Sequence, residues 1–418
     1  MMKKIGFGPA NILLPAQADL SKWSVVACDQ YTSEPAYWAE VENTVGEAPS
    51  MLRLTLPEIY LEQDGVDERI SQITRSMQSY LDTDVFAEYP SAYLYLERKL
   101  ADGTVRKGLI GMVDLEQYDY NRGSTSLIRA TEGTVLERIP PRVRVRENAP
   151  LESPHVMLLI DDPEKNVIEP LAKETERLIK LYDFELMQNG GHSTGYLIGA
   201  EQAARVEEAL LKLYQASEEK YQNPLLFAVG DGNHSLATAK ACYEQFKQTH
   251  DPSEWSDAPA RYALVEVVNL HDDSLQFEPI HRVIFGVDPN HFLRSLTEHF
   301  EVSATPEEGI GQTFKYVTGD NMGQVSILNP DANLCVGTLQ GFIDTYLKNY
   351  GGKVDYIHGD EVVISLSAQP DSIGLILPKM EKSDLFETIQ KDGVLPRKTF
   401  SMGHANDKRF YLECRKIK

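Results

Sequence analysis

The turn Gly230-Asp231-Gly232-Asn233-His234-Ser235 carries the densest chemistry in the chain. It follows the apolar run LLFAV (225–229) and leads into LATAKACYEQF, which is helical in composition and free of proline. A strand–turn–helix of this kind points unpaired N–H groups and the positive end of the helix dipole at whatever lies above the turn. The two glycines permit close approach of a ligand to the backbone. Asp231 can hold a Mg²⁺ ion or orient a hydroxyl, and His234 can donate to a phosphate oxygen. Gly230, Gly232, Asn233 and Ser235 complete the candidate phosphate cradle. The plain alternative is a βα turn whose helix is capped by Asn233 or Asp231. The sequence is neither a Walker loop nor a GxGxxG fingerprint.

A second candidate is VVACDQYTSE (25–34), where a short apolar strand delivers Asp29 at its end. A carboxylate at a strand end can act as general base. The alternative is a loop acid beside a helix capped by Ser33, with Pro35 at the first helical position. The third candidate is Arg142, Arg144 and Arg146, alternating with Val143 and Val145. Read as a strand, the alternation puts three guanidiniums on one face as an anion site, or else as a solvated face paired with acids. His192, His281 and His358 lack metal-ligand spacing, and no GxSxG nucleophile elbow occurs.

These residues need a scaffold, and the pattern supplies one. Residues 66–81 read as an amphipathic helix, 91–112 as a hairpin around Ala101-Asp102-Gly103, and 155–160 as a buried strand. Helices are expected over about 163–182 and from Ala200, with a second hairpin-like unit between them around Asn189-Gly190-Gly191. A strand covers 261–270. Beyond residue 285 the pattern restarts, with helices at 289–300, 339–349 and 383–391. Strands are expected there near 313–318, 324–328, 333–338, 353–358, 361–366 and 372–377, and FYLECR closes the chain. The whole reads as an α/β (α+β) protein in three regions, 1–150, 151–285 and 286–418.

The composition limits the partners. A net charge of −22 over 418 residues disfavours DNA, RNA and anionic membrane surfaces, while a nucleotide can still bind through a few local donors. The four cysteines lie far apart, with neither a zinc pattern nor a disulfide framework. No signal peptide and no membrane span are read, so the cytoplasm is the expected location.

Several of these stretches, in this order, resemble the bacterial and archaeal family called domain of unknown function 1015. VVACDQYTSE, LRLTLPE (52–58), GGHSTGYLI, EPIHRVI (278–284), VLPRKTF (394–400) and the glycine turn carry the likeness. The family's turn is Ala-Asp-Gly-His-His-Arg; Asp231, Gly232 and His234 match it, whereas Asn233 and Ser235 depart. The arginine replaced here by Ser235 is a natural phosphate clamp, and the resemblance either leaves that role to Arg142, Arg144 or Arg282, with His192 and His281 among the phosphate-binding residues, or implies different chemistry in this branch. The turn is also similar to that of the free-serine kinases built on the ParB/sulfiredoxin-like fold. That similarity implies a ParB/sulfiredoxin-like core with additional mixed α+β regions, Asp29 as base, and Asp231 and His234 at phosphate or metal. It implies a Mg²⁺-dependent phosphotransferase between ATP or ADP and a small hydroxyl compound, with free serine the first candidate. A phosphoserine-type phosphomonoester hydrolase and a non-catalytic nucleotide-binding switch are the alternatives.

Overall fold

A computed structural model of the chain describes residues 2–134, 136–305, 310–319 and 321–418. It divides into two units, Met1–Leu275 with Gly403–Lys418, and Gln276–Met402. The first unit is thus closed by a segment that returns to it after the second has been completed.

The first unit is built on a mixed sheet of ten strands. Across it run Ile179–Glu185, His192–Leu197, Leu94–Lys99, Val105–Asp114, Tyr262–Asn269, Met157–Ile160, Phe227–Asp231, Ile128–Ala130 and Tyr118–Asp119. Phe7–Gly8 pairs alongside Val105–Asp114. Most pairings are antiparallel, but Met157–Ile160 runs parallel to Tyr262–Asn269, and Phe227–Asp231 and Tyr118–Asp119 both run parallel to Ile128–Ala130. Strands from both sides of residue 150 therefore share one sheet. Alternation along each strand splits the core between two faces. Leu94, Leu96 and Ile110 join one cluster with Trp23 and Trp38. Tyr95, Leu109, Leu158 and Ile160 join the other with Phe227, Leu236 and Tyr243. The expected strand LLFAV, the helix behind it (Asn233–Thr249), the 91–112 hairpin and the Ala200–Lys220 helix all form.

Three short pairs finish this unit: Ala10–Pro15 with Phe86–Ala92, Val25–Val26 with Phe410–Tyr411, and Leu151–Glu152 with Arg415–Lys416. The second unit holds a seven-stranded antiparallel sheet centred on Phe277–Phe285, with Cys335–Tyr350 and Asp360–Ser367 among its helices.

Four local expectations are overturned. Residues 142–146 are not a strand but the end of a helix, Ile139–Arg146. Pro140 and Pro141 fit its first turn, and Ile139 and Val143, one turn apart, are buried against Ala237. Helical spacing puts Arg142 and Arg144 about 200° apart, so the three guanidiniums do not share one face. The helix expected over 163–182 is limited to Glu169–Ala172, because Ile179–Glu185 finds an antiparallel partner in His192–Leu197 and pairing overrides helix propensity. Residues 361–366 form the Asp360–Ser367 helix, which buries Val363 and Ser367 one turn apart. The strand expected at 333–338 gives way to a helix from Cys335, whose Leu339, Phe342, Ile343 and Tyr346 are buried at helical spacing.

Candidate functional site

The Phe227–Asp231 and Met157–Ile160 strands run antiparallel, with Met157 opposite Asp231 and the register irregular beside that pair. The end of one strand and the approach to the other therefore lie side by side, bringing Asp231 next to His155. Gly232 then turns the chain into the Asn233–Thr249 helix at φ +78°, a left-handed conformation that glycine adopts without penalty. A Cβ at Gly232 would stand 3.0 Å from the Val156 Cα, and one at Gly230 2.8 Å from the Leu159 side chain. Both glycines thus serve the protein's own packing. Gly232, rather than Asn233 or Asp231, occupies the N-cap position. Asn233 instead reaches across to Thr131, donating to its hydroxyl and accepting its N–H, both at 3.3 Å. Ser235 sits in the first turn of the helix.

Asp29 arrives from a different element. It follows the Val25–Val26 strand, whose partner is Phe410–Tyr411. Its Oδ2 lies 3.2 Å from Nε2 of the buried His155, and Gln30 donates to its Oδ1 at 2.9 Å. On the other side of the imidazole, Nδ1 meets the Tyr411 hydroxyl at 2.6 Å. That hydroxyl also accepts the Cys28 N–H at 3.3 Å. Asp231 accepts the Gly232 N–H on Oδ1, and the Lys408 ammonium faces its Oδ2 at 3.4 Å. Asp29, His155 and Asp231 each present a ligand atom within 4.8 Å of the others.

The charges are set by this geometry. Burial pushes the Asp29 carboxyl up, but the His155 charge, the hydrogen bonds from His155 and Gln30, and the Lys408 charge outweigh it and hold Asp29 well below the usual carboxylate range. Burial disfavours a charged His155, yet the Asp29 carboxylate beside it raises its pKa well above the ordinary value. Tyr411 is pushed up by burial and stays a neutral phenol. His234 behaves in the opposite way. Burial, with the nearby charges of Arg142 and Arg138, lowers it to about 4. It can therefore offer a hydrogen bond at neutral pH but not a positive charge.

The structure brings Asp29, Asp231, Gly230, Gly232 and His234 together and places Arg142 within electrostatic reach of His234. Arg142 is paired with Glu58, and Arg144 with Asp67. Arg146 meets Glu152 at 2.5 Å. His192 stands on the other side of the sheet's centre, bonded to Asp183 and Glu185. Four strands lie between its strand and that of Asp231, about 24 Å at ~4.8 Å per strand. His281 and Arg282 belong to the second unit. His281 accepts the Leu377 N–H at 3.1 Å and faces Asp360 at 2.9 Å. Arg282 is fully buried and donates to the carbonyls of Ile280, Lys398 and Arg397 and to the Gln340 side chain.

Sequence reasoning missed His155, Lys408 and Tyr411. The available signal for His155 was a histidine at the foot of an apolar strand, HVMLLI. Lys408 and Tyr411 had none, because only the return of the chain after residue 402 brings them to the turn.

The fold and site together define a mixed α+β protein with an Asp–His–Asp centre where two strands meet a helix. The chain belongs to the family described as protein of unknown function (DUF1015), whose model matches residues 9–346. No curated protein matches it. Among solved structures it is similar to a free serine kinase in complex with AMP, at 11% identity and a TM-score of 0.38 over 73% of this chain and 91% of that one. It is similar to a variant of a free serine kinase in complex with ADP, at 11% identity and 0.39 over 75% and 93%. It is also similar to a C-terminally truncated SbnI from Staphylococcus aureus, at 11% identity and 0.35 over 70% and 82%. At these scores the likeness assigns no residue its role.

Proposed function

We propose that the protein is a Mg²⁺-dependent phosphotransferase, moving a phosphoryl group between a nucleotide and a small alcohol, with free serine the first substrate to try. The observation that carries this reading is the convergence of the Asp29 and Asp231 carboxylates on one buried histidine beside a helix-leading turn. Catalysis of phosphoryl transfer is mostly positioning and charge neutralisation, and this centre offers both.

The donor set suits Mg²⁺ through oxygen. Asp231 spends one lone pair on Gly232 and faces Lys408 with another, which leaves acceptor sites for a hard cation. His155 is no ligand, since Asp29 and Tyr411 occupy its two nitrogens; it orients Asp29 instead. When bound, Mg²⁺ supplies charge neutralisation on the phosphate oxygens. Asp29 accepts a hydrogen bond from the acceptor hydroxyl. The hydroxyl oxygen bonds to the terminal phosphorus while the bridging P–O bond breaks, and its electron pair leaves with the shortened nucleotide, a diphosphate from ATP or a monophosphate from ADP. The hydroxyl proton passes to Asp29 and then to solvent. A carboxylate of low pKa suits this order, because in a loose transition state the proton departs late.

Incubation of purified protein with ATP or ADP, Mg²⁺ and serine, followed by a panel of small alcohols, tests the reading. The expected result is a phosphomonoester product, with Asp29→Asn about a hundred-fold to ten-thousand-fold slower, the usual span for a lost general base. Absence of product with every alcohol and either nucleotide excludes it. Phosphate release from phosphoserine without nucleotide points instead to hydrolysis.

A further inference from the structure

The strongest feature outside the matched family segment is the chain beyond residue 402. That segment, Gly403–Lys418, belongs to the first unit although the whole Gln276–Met402 unit separates it in sequence. It is held by buried cations. Arg98 donates to the Asn406 carbonyl at 2.9 Å, and Arg106 donates to the Asp407 carbonyl at 2.7 Å. Arg409 itself lies buried, with Nε 3.2 Å from Glu266 and a second ion pair to Glu413. The Tyr182 hydroxyl donates to the other Glu413 oxygen at 2.5 Å. Gly108 makes room for this network, since a side chain there would collide with the Glu266 carboxylate.

Desolvating three guanidiniums and two carboxylates is expensive, and hydrophobic residues would secure a terminal strap at lower cost. What the network fixes is position. The residue between the two clamped stretches is Lys408, held with its ammonium 3.4 Å from Asp231 and close enough to Asp29 to lower its pKa. Tyr411, three residues on, meets His155. Of the cations expected at a phosphate, Arg142, Arg144 and Arg146 are paired with carboxylates, Arg282 is engaged with carbonyls and Gln340 within the second unit, and His234 is neutral near pH 7. Lys408 faces the centre at hydrogen-bond-marginal distance, so its three N–H donors remain available to a stronger acceptor.

We infer that Lys408 is the phosphate-contacting cation of the site, meeting the terminal phosphate of a nucleoside di- or triphosphate, and that Arg98 and Arg106 are positioning residues that hold its backbone. This inference rests on the phosphotransferase reading and adds a catalytic residue to it. An ammonium aimed at the transferring end of the nucleotide discriminates between ADP and AMP, which a merely structural lysine does not.

The test is calorimetric binding of a non-hydrolysable ATP analogue, of ADP and of AMP, each with Mg²⁺, to the full chain and to its Lys408→Met and Lys408→Arg variants, with phosphoryl transfer measured alongside. Circular dichroism confirms that each variant is folded. Lys408→Met is expected to weaken the nucleotide whose terminal phosphate it meets, ADP or the ATP analogue, about ten-fold to a hundred-fold, the worth of a charge-assisted hydrogen bond, and to leave AMP nearly unchanged. Lys408→Arg is expected to recover most of the loss. Affinities for ADP and for the ATP analogue both equal in Lys408→Met and the parent chain, or an equal loss for all three nucleotides, overturn the inference. Transfer that persists in Lys408→Met overturns it while sparing the phosphotransferase reading. Lys408-dependent ADP binding without transfer to any alcohol upholds the contact and removes that reading, and a parent chain that neither binds nor transfers removes both.

Discussion

Burial strips water from His155 and from His234, and burial alone favours a neutral imidazole in each. The neighbours decide the outcome. Asp29 raises His155 well above its ordinary 6.5, whereas Arg142 and Arg138 help to lower His234 to about 4. The linkage signs follow. The His155 contribution to stability is complete below about pH 6.5, its unfolded value, and is lost as pH rises through its raised folded value. The matching Asp29 contribution is present above its ordinary 3.8 and is lost as pH falls through its depressed folded value. The His234 contribution runs the other way from that of His155, present above pH 6.5 and lost as pH falls towards about 4. Imidazole NMR at pH 7 is therefore expected to find His155 protonated and His234 neutral. In Asp29→Asn the burial effect on His155 is left largely unopposed, and its titration moves below pH 7. A His155 that titrates near 6.5 in the parent chain contradicts the ion pair.

At the scale of elements, Phe410–Tyr411 is the partner of the Val25–Val26 strand that leads to Asp29, so the two sides of the centre share a support. The Ala27 N–H to Arg409 carbonyl bond at 2.8 Å and the Ser24 hydroxyl to Tyr411 carbonyl bond at 2.7 Å extend it. Beneath it, Glu266 and Glu413 are both fully buried. Arg409→Met leaves these carboxylates with one cation fewer and is expected to cost about 3–5 kcal/mol, the scale for breaking a buried pair. Chemical denaturation measures this, and a loss below about 1 kcal/mol, the range of an exposed pair, contradicts the clamp. The sequence made the strand before the turn, the helix after it and the acid at residue 29 legible, because apolar runs and helical composition are local signals. It misled at 142–146, where arginine and valine alternate as a strand does but Ile139 and Val143 pack as a helix. Alternation over five residues does not discriminate when the buried partner, Ala237, lies far along the chain.

At the scale of the whole molecule, the site is assembled from stretches near residues 29, 155, 231 and 408, all in the first unit, while Gln276–Met402 folds on a sheet of its own. No window of sequence contains two of these stretches, which is why the turn was readable and its partners were not. His281 and Arg282 show the converse: polar residues within the family-like stretch EPIHRVI whose side chains are engaged within the second unit. Among the described residues no helix is long and apolar enough to cross a membrane. The net charge of −22 contrasts with the centre, where the Lys408 ammonium lies near His155, whose pKa the Asp29 carboxylate raises well above its ordinary value. A crystal structure with Mg²⁺ and a non-hydrolysable ATP analogue tests the centre most directly. The account predicts the terminal phosphate within hydrogen-bond distance of Lys408, the metal on Asp231, and Asp29 open to an attacking hydroxyl. A nucleotide bound elsewhere, with the Asp29–His155–Asp231 cluster untouched, contradicts it.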